Sequence, residues 1–213
     1  MHDFAEKNQG VAVVGWSCRL PGANSVSELW SLLNDGRCAI SRVPADRFAL
    51  DHFSHPRRQE RGRTYTWAAG VLDDIWGFDP AIFGISPREA QQMDPQQRIL
   101  LQLTWEALED AGMRPSSIAG EGVGVYVGAS QTEYAQPFFG DPAIGDAHFA
   151  TGNSLAVLSN RISYIFDTHG PSMTVDTACS SSLVALHEAC EALRSGRIET
   201  AIVGGINIIA APT

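Results

Sequence analysis

Cys179 stands where an apolar run ends at Asp176 and a helical stretch begins near Ser180, within TVDTACSSSLVALHEAC (Thr174–Cys190). A helix opens with backbone N–H groups that lack intrahelical partners, and its peptide dipoles sum to about +0.5 of an elementary charge there. A thiolate in that place is stabilised, so the nucleophilic form is more populated near neutrality. The strand-to-helix turn also aims backbone N–H groups at an oxyanion formed on the attacked carbon. Thr177, Ala178, Ser180, Ser181 and Ser182 are small and leave room for a substrate, and Ser180 and Ser181 are of the type that caps helices. The stretch from Leu183 to Leu193 is apolar on nearly every side, as in a buried helix, which is a rigid mount for a reacting group. The same position suits a buried cysteine acting as a small hydrophobe. Spacing alone does not choose between the two.

A thiol nucleophile needs a base, and the histidines are His2, His52, His55, His148, His169 and His187. His187 lies eight residues along the same helix, about 12 Å away, where a base needs roughly 3 Å. His169 reads as a turn residue, and His148 falls in a loop that the sequence does not place. The sequence therefore presents a poised nucleophile without an evident base. Cys190, eleven residues beyond Cys179, cannot bridge to it within one helix. Together with Cys18 and Cys38 it reads as a structural thiol. No CxxC pair occurs, which argues against a structural zinc site and for a reduced, cytoplasmic setting. Asp73 with Asp74, and Glu106 with Glu109 and Asp110, read as solvated acids on a loop and a helix surface. GEGVGVYVG is not G-x-G-x-x-G and opens a strand, so it is not a dinucleotide fingerprint.

The elements that must position Cys179 alternate along the chain. GVAVVGWS (Gly10–Ser17) predicts a buried strand. SVSELWSLLNDGR predicts a helix capped by Ser25 and closed at Gly36. From Cys38 to about Ile85 no period is sustained, with one short strand expected at GVLDDI. A helix interrupted before Pro95 runs to Gly112. Strands follow at GVGVYVGAS, PSMTVDT and TAIVGGINIIA, with helices at 154–166 and 180–195. This order predicts an α/β layered fold with helices on a mixed sheet.

The 213 residues are enough for one sizeable core. A net charge of −9 disfavours sequence-independent nucleic-acid binding. The basic stretch HPRRQERGR (His55–Arg63) reads as a solvated loop, with anion binding or docking as the other reading. No apolar run approaches a membrane span, and the N-terminus lacks the apolar core of a secretory signal.

VDTACSSSLVALHEAC resembles the nucleophile motif of the β-ketoacyl synthase domains of type I polyketide synthases and animal-type fatty acid synthases. So do, in the family's order and spacing, VAVVGWSCRLPGA, AISRVPADRF, IFGISPREAQQMDPQQRILLQLTWEALEDAG, GVGVYVG, SNRISYIFDTHGPSMTVDTACSSS and GGINII. The resemblance implies a thiolase-like fold, a layered α-β-α-β-α sandwich of which this chain supplies roughly the first half. Residues 1–10 form a polar extension in that reading, and 11–213 the N-terminal half of the domain. It implies that Cys179 is the acyl acceptor and that Thr151, Gly152, Asn153, Ala178, Ser180 and Ser181 line the substrate pocket. It implies an acyl carrier protein as partner, whose phosphopantetheine thioester supplies the acyl group, and no tightly bound cofactor. A homodimer paired through the strand before the nucleophile, and further domains of a multidomain synthase, are implied as well. The family's two catalytic histidines belong to the second half and match none of the six here. The other expectation is thus a catalytically incomplete piece that only docks to carrier protein or a synthase subunit.

Overall fold

The computed structural model describes residues 10–212. His2 and all of the polar extension except Gly10 lie outside the described residues. Helix α1 (Val26–Asn34) is capped as expected: the Ser25 hydroxyl accepts from Glu28 N, and Glu28 Oε2 accepts from Asn24 N at 2.7 Å. The long irregular region holds strand β1 (Ser41–Arg42), the one-turn helix α2 (Leu50–Phe53) and strand β2 (Ala68–Ala69). β2 pairs antiparallel with β1, so the short strand forms just before GVLDDI and not within it. The basic stretch is exposed, with Arg58 stacked 4.9 Å over Tyr65.

Helices α3 (Pro87–Gln92) and α4 (Pro95–Asp110) are separated where Pro95 cannot continue the preceding turn. Strand β3 (Gly124–Gly128) follows, then the short helices α5 (Gln136–Gly140) and α6 (Phe149–Asn153), and α7 (Leu155–Phe166). Strand β4 (Ser172–Val175), helix α8 (Ser181–Arg194) and strand β5 (Ala201–Gly205) complete the order. The sheet runs β4-β3-β5 with both pairs parallel. Among the described residues it has no antiparallel strand, so the sheet is parallel here and not mixed.

β3 is the central strand and its side chains alternate between two layers. Val125 and Val127, both fully buried, face α4 and α7 through Leu100, Leu101, Leu158 and Ile162. Tyr126 faces the other way and packs on Ala185, Ala189 and Ala192 of α8. Leu101 is sealed in the larger core, so Leu101→Ala is expected to cost about 2–5 kcal/mol in denaturant unfolding. A smaller loss would mean that the core relaxes around the deletion.

Two expectations fail for one reason. GVAVVGWS forms no strand: Val13, Val14 and Trp16 are exposed, and the segment runs beside α4. Trp16 N donates to Asp110 Oδ2 at 3.0 Å and Ser17 Oγ to Leu103 O at 2.7 Å. α8 is not buried all round either: its alanine face is covered while Leu183 and Leu186 are exposed. Apolar character marks both segments for burial, but burial requires a covering layer. Among the described residues none lies over these two faces.

The acidic groups are also less idle than their surface positions suggest. Glu106 pairs with Arg19, Asp110 holds Trp16, and Asp74 Oδ1 accepts from Trp76 N and Gly77 N at 2.7 and 3.0 Å. Those two amides hold the Asp74 carboxyl below the ordinary carboxylate value. Each acid pins an irregular segment that has no ladder of its own.

Candidate active site at the carboxyl edge of the sheet

Gly128, Val175 and Gly205 lie in register at one end of the parallel sheet. Parallel α/β sheets place their ligand crevices at that carboxyl edge. The chain leaves β4 at Val175, makes a single 3-10 turn over Ala178–Ser180, and enters α8. Cys179 sits in that turn and is exposed.

Two glycines let the helix come this close. A Cβ on Gly128 would lie 2.4 Å from Ser182 N and 2.5 Å from Ser181 C. A Cβ on Gly205 would lie 2.6 Å from Ser182 Cβ. The first turn of α8 therefore rests directly on the ends of β3 and β5.

The turn is held by its own small polar residues. Asp176 Oδ1 accepts from Ala178 N at 3.0 Å and from Ser130 Oγ at 2.7 Å. The Ala178 amide first, and then the Ser130 hydroxyl, hold the Asp176 carboxyl below its ordinary value. Ser181 Oγ accepts from Thr177 N at 2.9 Å and donates to Ala178 O at 2.7 Å. Ser180 Oγ donates to Thr177. Neither serine side chain caps α8 as expected, because each is engaged with the turn behind it. Ala178 adopts φ +54°, a left-handed conformation that a Cβ disfavours.

Cys179 opens onto a cavity of about 820 Å³. Ala178, Ser181 and Ser182 line it beside the thiol, and Gly128, Ser130 and Gly205 line it from the strand ends. The rest of the lining comes from irregular segments around Leu20, Val71, Leu72, Ile75 and Ile208, and from Ile99 and Leu103 of α4. Of the residues expected near a substrate, Ala178 and Ser181 thus meet Cys179 in one cavity. Ser180 does not line it. Thr151, Gly152 and Asn153 are not among the lining residues. They sit in α6 against the α3–α4 junction, where Thr151 O and Gly152 O each accept from Gln97 Nε2 at 2.9 Å and Asn153 Nδ2 donates to Gln92 O. Sequence reasoning missed Ser130 and Asp176. Each stands one or two residues past the last residue of its strand, a position that parallel pairing brings to the same edge.

No histidine lines the cavity among the described residues. His169 pairs with Asp167 in an exposed turn and His187 is exposed on α8. The other thiols separate by environment. Cys38 is exposed, not buried as a structural thiol would be, in the irregular stretch between α1 and β1. Burial pushes the Cys18 thiol up, with Glu106 and Glu28 adding to the shift and Arg19 opposing it. Partial alkylation with iodoacetamide is expected to mark Cys179 and Cys38 first. Cys18 should label slowly at pH 7 and faster as pH rises, since only its thiolate reacts. Peptide mass spectrometry reads all four sites, and equal labelling at pH 7 would contradict this order.

The model of the β-ketoacyl synthase N-terminal domain matches residues 8–213. The chain belongs to the β-ketoacyl synthase family. The chain is 47% identical over 210 residues to polyketide synthase GfsE of Streptomyces halstedii, covering 98% of this chain and 6% of that protein. It is 46% identical over 214 residues to the pikromycin polyketide synthase component PikAII of Streptomyces venezuelae, covering 99% of this chain and 6% of that one. Among solved structures it resembles the oxazolomycin ketosynthase domain OzmH KS7 of Streptomyces albus, with a TM-score of 0.87 and 40% identity over 94% of this chain and 34% of that one. The ketosynthase from module 6 of the bacillaene synthase of Bacillus subtilis gives a TM-score of 0.80 at 39% identity, covering 94% of this chain and 32% of that one. The chain thus spans less than a tenth of these synthases and about a third of the solved ketosynthases. Its fold is the N-terminal half of the thiolase-like sandwich. No helix among the described residues is long and apolar enough to cross a membrane.

Proposed function

We propose that this chain carries the acyl-accepting site of a polyketide-type β-ketoacyl synthase, with Cys179 as the nucleophile. The observation that carries the reading is an exposed cysteine at the carboxyl edge of a parallel sheet, opening onto an 820 Å³ cavity. The Cys179 sulfur, as thiolate, attacks the carbonyl carbon of an acyl thioester held on the phosphopantetheine arm of an acyl carrier protein. A carbon–sulfur bond to Cys179 forms, the bond to the pantetheine sulfur breaks, and the departing thiol takes the proton that Cys179 gave up. The Cys179 N–H is the donor we assign to the transient oxyanion. The amides around it at Thr177, Ala178, Ser180 and Ser181 are engaged within the turn.

In the second step a malonyl-type extender loses carbon dioxide, and the resulting enolate carbon attacks the Cys179 thioester. The Cys179 thiolate leaves and a β-ketoacyl carrier protein is released. The family's histidines for this step have no counterpart in this sequence, so the 213 residues supply the loading half of the chemistry. The second reading is a piece that docks to carrier protein or a synthase subunit without turnover, and the observation that favours it is that no histidine lines the cavity among the described residues. β4 is an outer strand with Met173 exposed, and it is the strand we assign to pairing with a second copy.

Incubation with a short acyl thioester, read by intact mass, tests the proposal. One acyl group should add to the wild-type chain and none to Cys179→Ala. Equal uptake by both would assign the acyl group to another residue, and no uptake by a folded wild-type chain would leave the docking reading.

A further inference from the structure

We propose that Asp176 and Ser130 act as a positioning clamp for Cys179, by holding Ala178 in its left-handed conformation. The proposal rests on the reading of Cys179 as the acyl acceptor. The conformation is the starting point: Ala178 takes φ +54°, where its Cβ crowds the backbone, and it directly precedes the thiol. Such a rotation persists only when neighbouring groups enforce it.

Both peptide groups of Ala178 are in fact held. Its N–H donates to Asp176 Oδ1 at 3.0 Å, and its carbonyl accepts from Ser181 Oγ at 2.7 Å. The Asp176 carboxylate is itself fixed from a different strand, by Ser130 Oγ at 2.7 Å. Ser130 follows β3 and Asp176 follows β4, so the clamp ties the ends of two adjacent strands, with Ser130 in the cavity lining. A hydroxyl has one proton, and Ser130 gives its proton to Asp176 while Ser181 gives its proton to Ala178. The two hydroxyls then approach to 3.2 Å as neighbours in the same frame. With the rotations on both sides of the Ala178 α-carbon fixed, the direction in which Cys179 leaves the backbone is fixed too. Asp176 is exposed and belongs to none of the buried clusters. Its removal therefore takes no apolar packing with it. The low position of its carboxyl keeps it ionised, and a strong acceptor, throughout the neutral range.

The test uses the intact protein and four variants: Asp176→Ala, Asp176→Asn, Ser130→Ala, and Asp176→Ala combined with Ala178→Gly. Two rates are followed, acylation of Cys179 by an acyl thioester and iodoacetamide alkylation of Cys179 relative to the exposed Cys38. Displacing a reacting atom by about 1 Å costs on the order of 10²-fold in rate. Asp176→Ala should accordingly lower the saturating acylation rate about 10- to 100-fold, with the half-saturating concentration within about twofold. Asp176→Asn should lose less, because the amide oxygen still accepts from Ala178 N, and Ser130→Ala should fall between them. Glycine takes the left-handed conformation freely, so adding Ala178→Gly should recover a large part of the Asp176→Ala loss. Thermal midpoints of the four variants separate the clamp from a loss of folding, since the rates are compared at temperatures where every variant is folded. An unchanged saturating rate in Asp176→Ala, or a loss that Ala178→Gly leaves untouched, overturns the clamp. If the wild-type protein takes up no acyl group, the functional reading fails by itself. The Cys179:Cys38 alkylation ratio then decides the clamp: a fall in Asp176→Ala restored by Ala178→Gly supports it, and an unchanged ratio overturns it.

Discussion

Given an acyl thioester and a malonyl-loaded carrier protein together, the 213-residue chain is expected to gain one acyl group at Cys179 and to release no β-ketoacyl product. Loading requires a sulfur nucleophile and an N–H donor, the two roles proposed above for the Cys179 side chain and its amide. Condensation also requires groups that stabilise the enolate left when the extender loses carbon dioxide. The cavity wall offers no imidazole among the described residues, and His187 and His169 lie on exposed surfaces elsewhere. A positioned acid–base group contributes roughly 10²–10⁴-fold. Two missing together lower turnover by about 10⁴-fold or more, below detection in an ordinary assay. Intact mass reports the acyl-enzyme, and chromatography of the carrier protein reports the product. Release of β-ketoacyl product at the pace of acyl loading would locate an acid–base group within these residues and overturn the division of labour.

Gly128→Ala is expected to do the most damage of any single methyl added to the site. The new Cβ would meet the backbone of Ser181 and Ser182 at 2.4–2.6 Å, and backbone cannot swing aside as a side chain can. Overpacking of this kind costs about 1–3 kcal/mol, and more where the neighbour is rigid. α8 must lift from the sheet, carrying the turn with it, and the acylation rate should fall about 10²-fold. Gly205→Ala provides the contrast, because its new Cβ meets the Ser182 side chain. Adding Ser182→Gly should rescue Gly205→Ala and leave Gly128→Ala unimproved. Thermal midpoints and acylation rates of the four variants check this. Rescue of both, or of neither, would contradict the contact assignment.

Much of the frame was legible because local rules decide it. α1 carries its own cap and stop, Pro95 sets the start of α4, and the runs at 124–128, 172–175 and 201–205 are apolar between turn residues. The place of Cys179 was legible because an apolar run ends just before it and a helical pattern begins just after it, and the structure puts it exposed in that turn. What stayed hidden depends on partners distant in sequence. Val13 and Val14 read as strand, but a ladder needs a neighbour that pattern alone cannot supply. The leucines of α8 read as core, yet its alanines are the buried face, since only small side chains let a helix approach the sheet this closely. Ser130 and Asp176 are 46 residues apart and meet only because β3 and β4 pair in parallel. The acids of α4 looked generic because their partners depend on which loop crosses them.

The two walls of the cavity have different tolerances for change. The wall that carries the sulfur is strand ends and the first turn of α8, in contact through Gly128 and Gly205 with no atom to spare. The rest of the lining is largely loop, with residues such as Leu20, Val71, Leu72, Ile75 and Ile208, joined by Ile99 and Leu103 of α4. It is fastened at its C-terminal side by Glu133, whose Oε2 accepts from Ala210 N and Ala211 N at 2.8 Å each. Added volume therefore meets opposite responses in the two parts: a methyl at Gly128 or Gly205 collides with the first turn of α8, whereas side chains on the irregular segments can change size without pressing on that turn. A library meant to reshape the cavity belongs on the irregular segments.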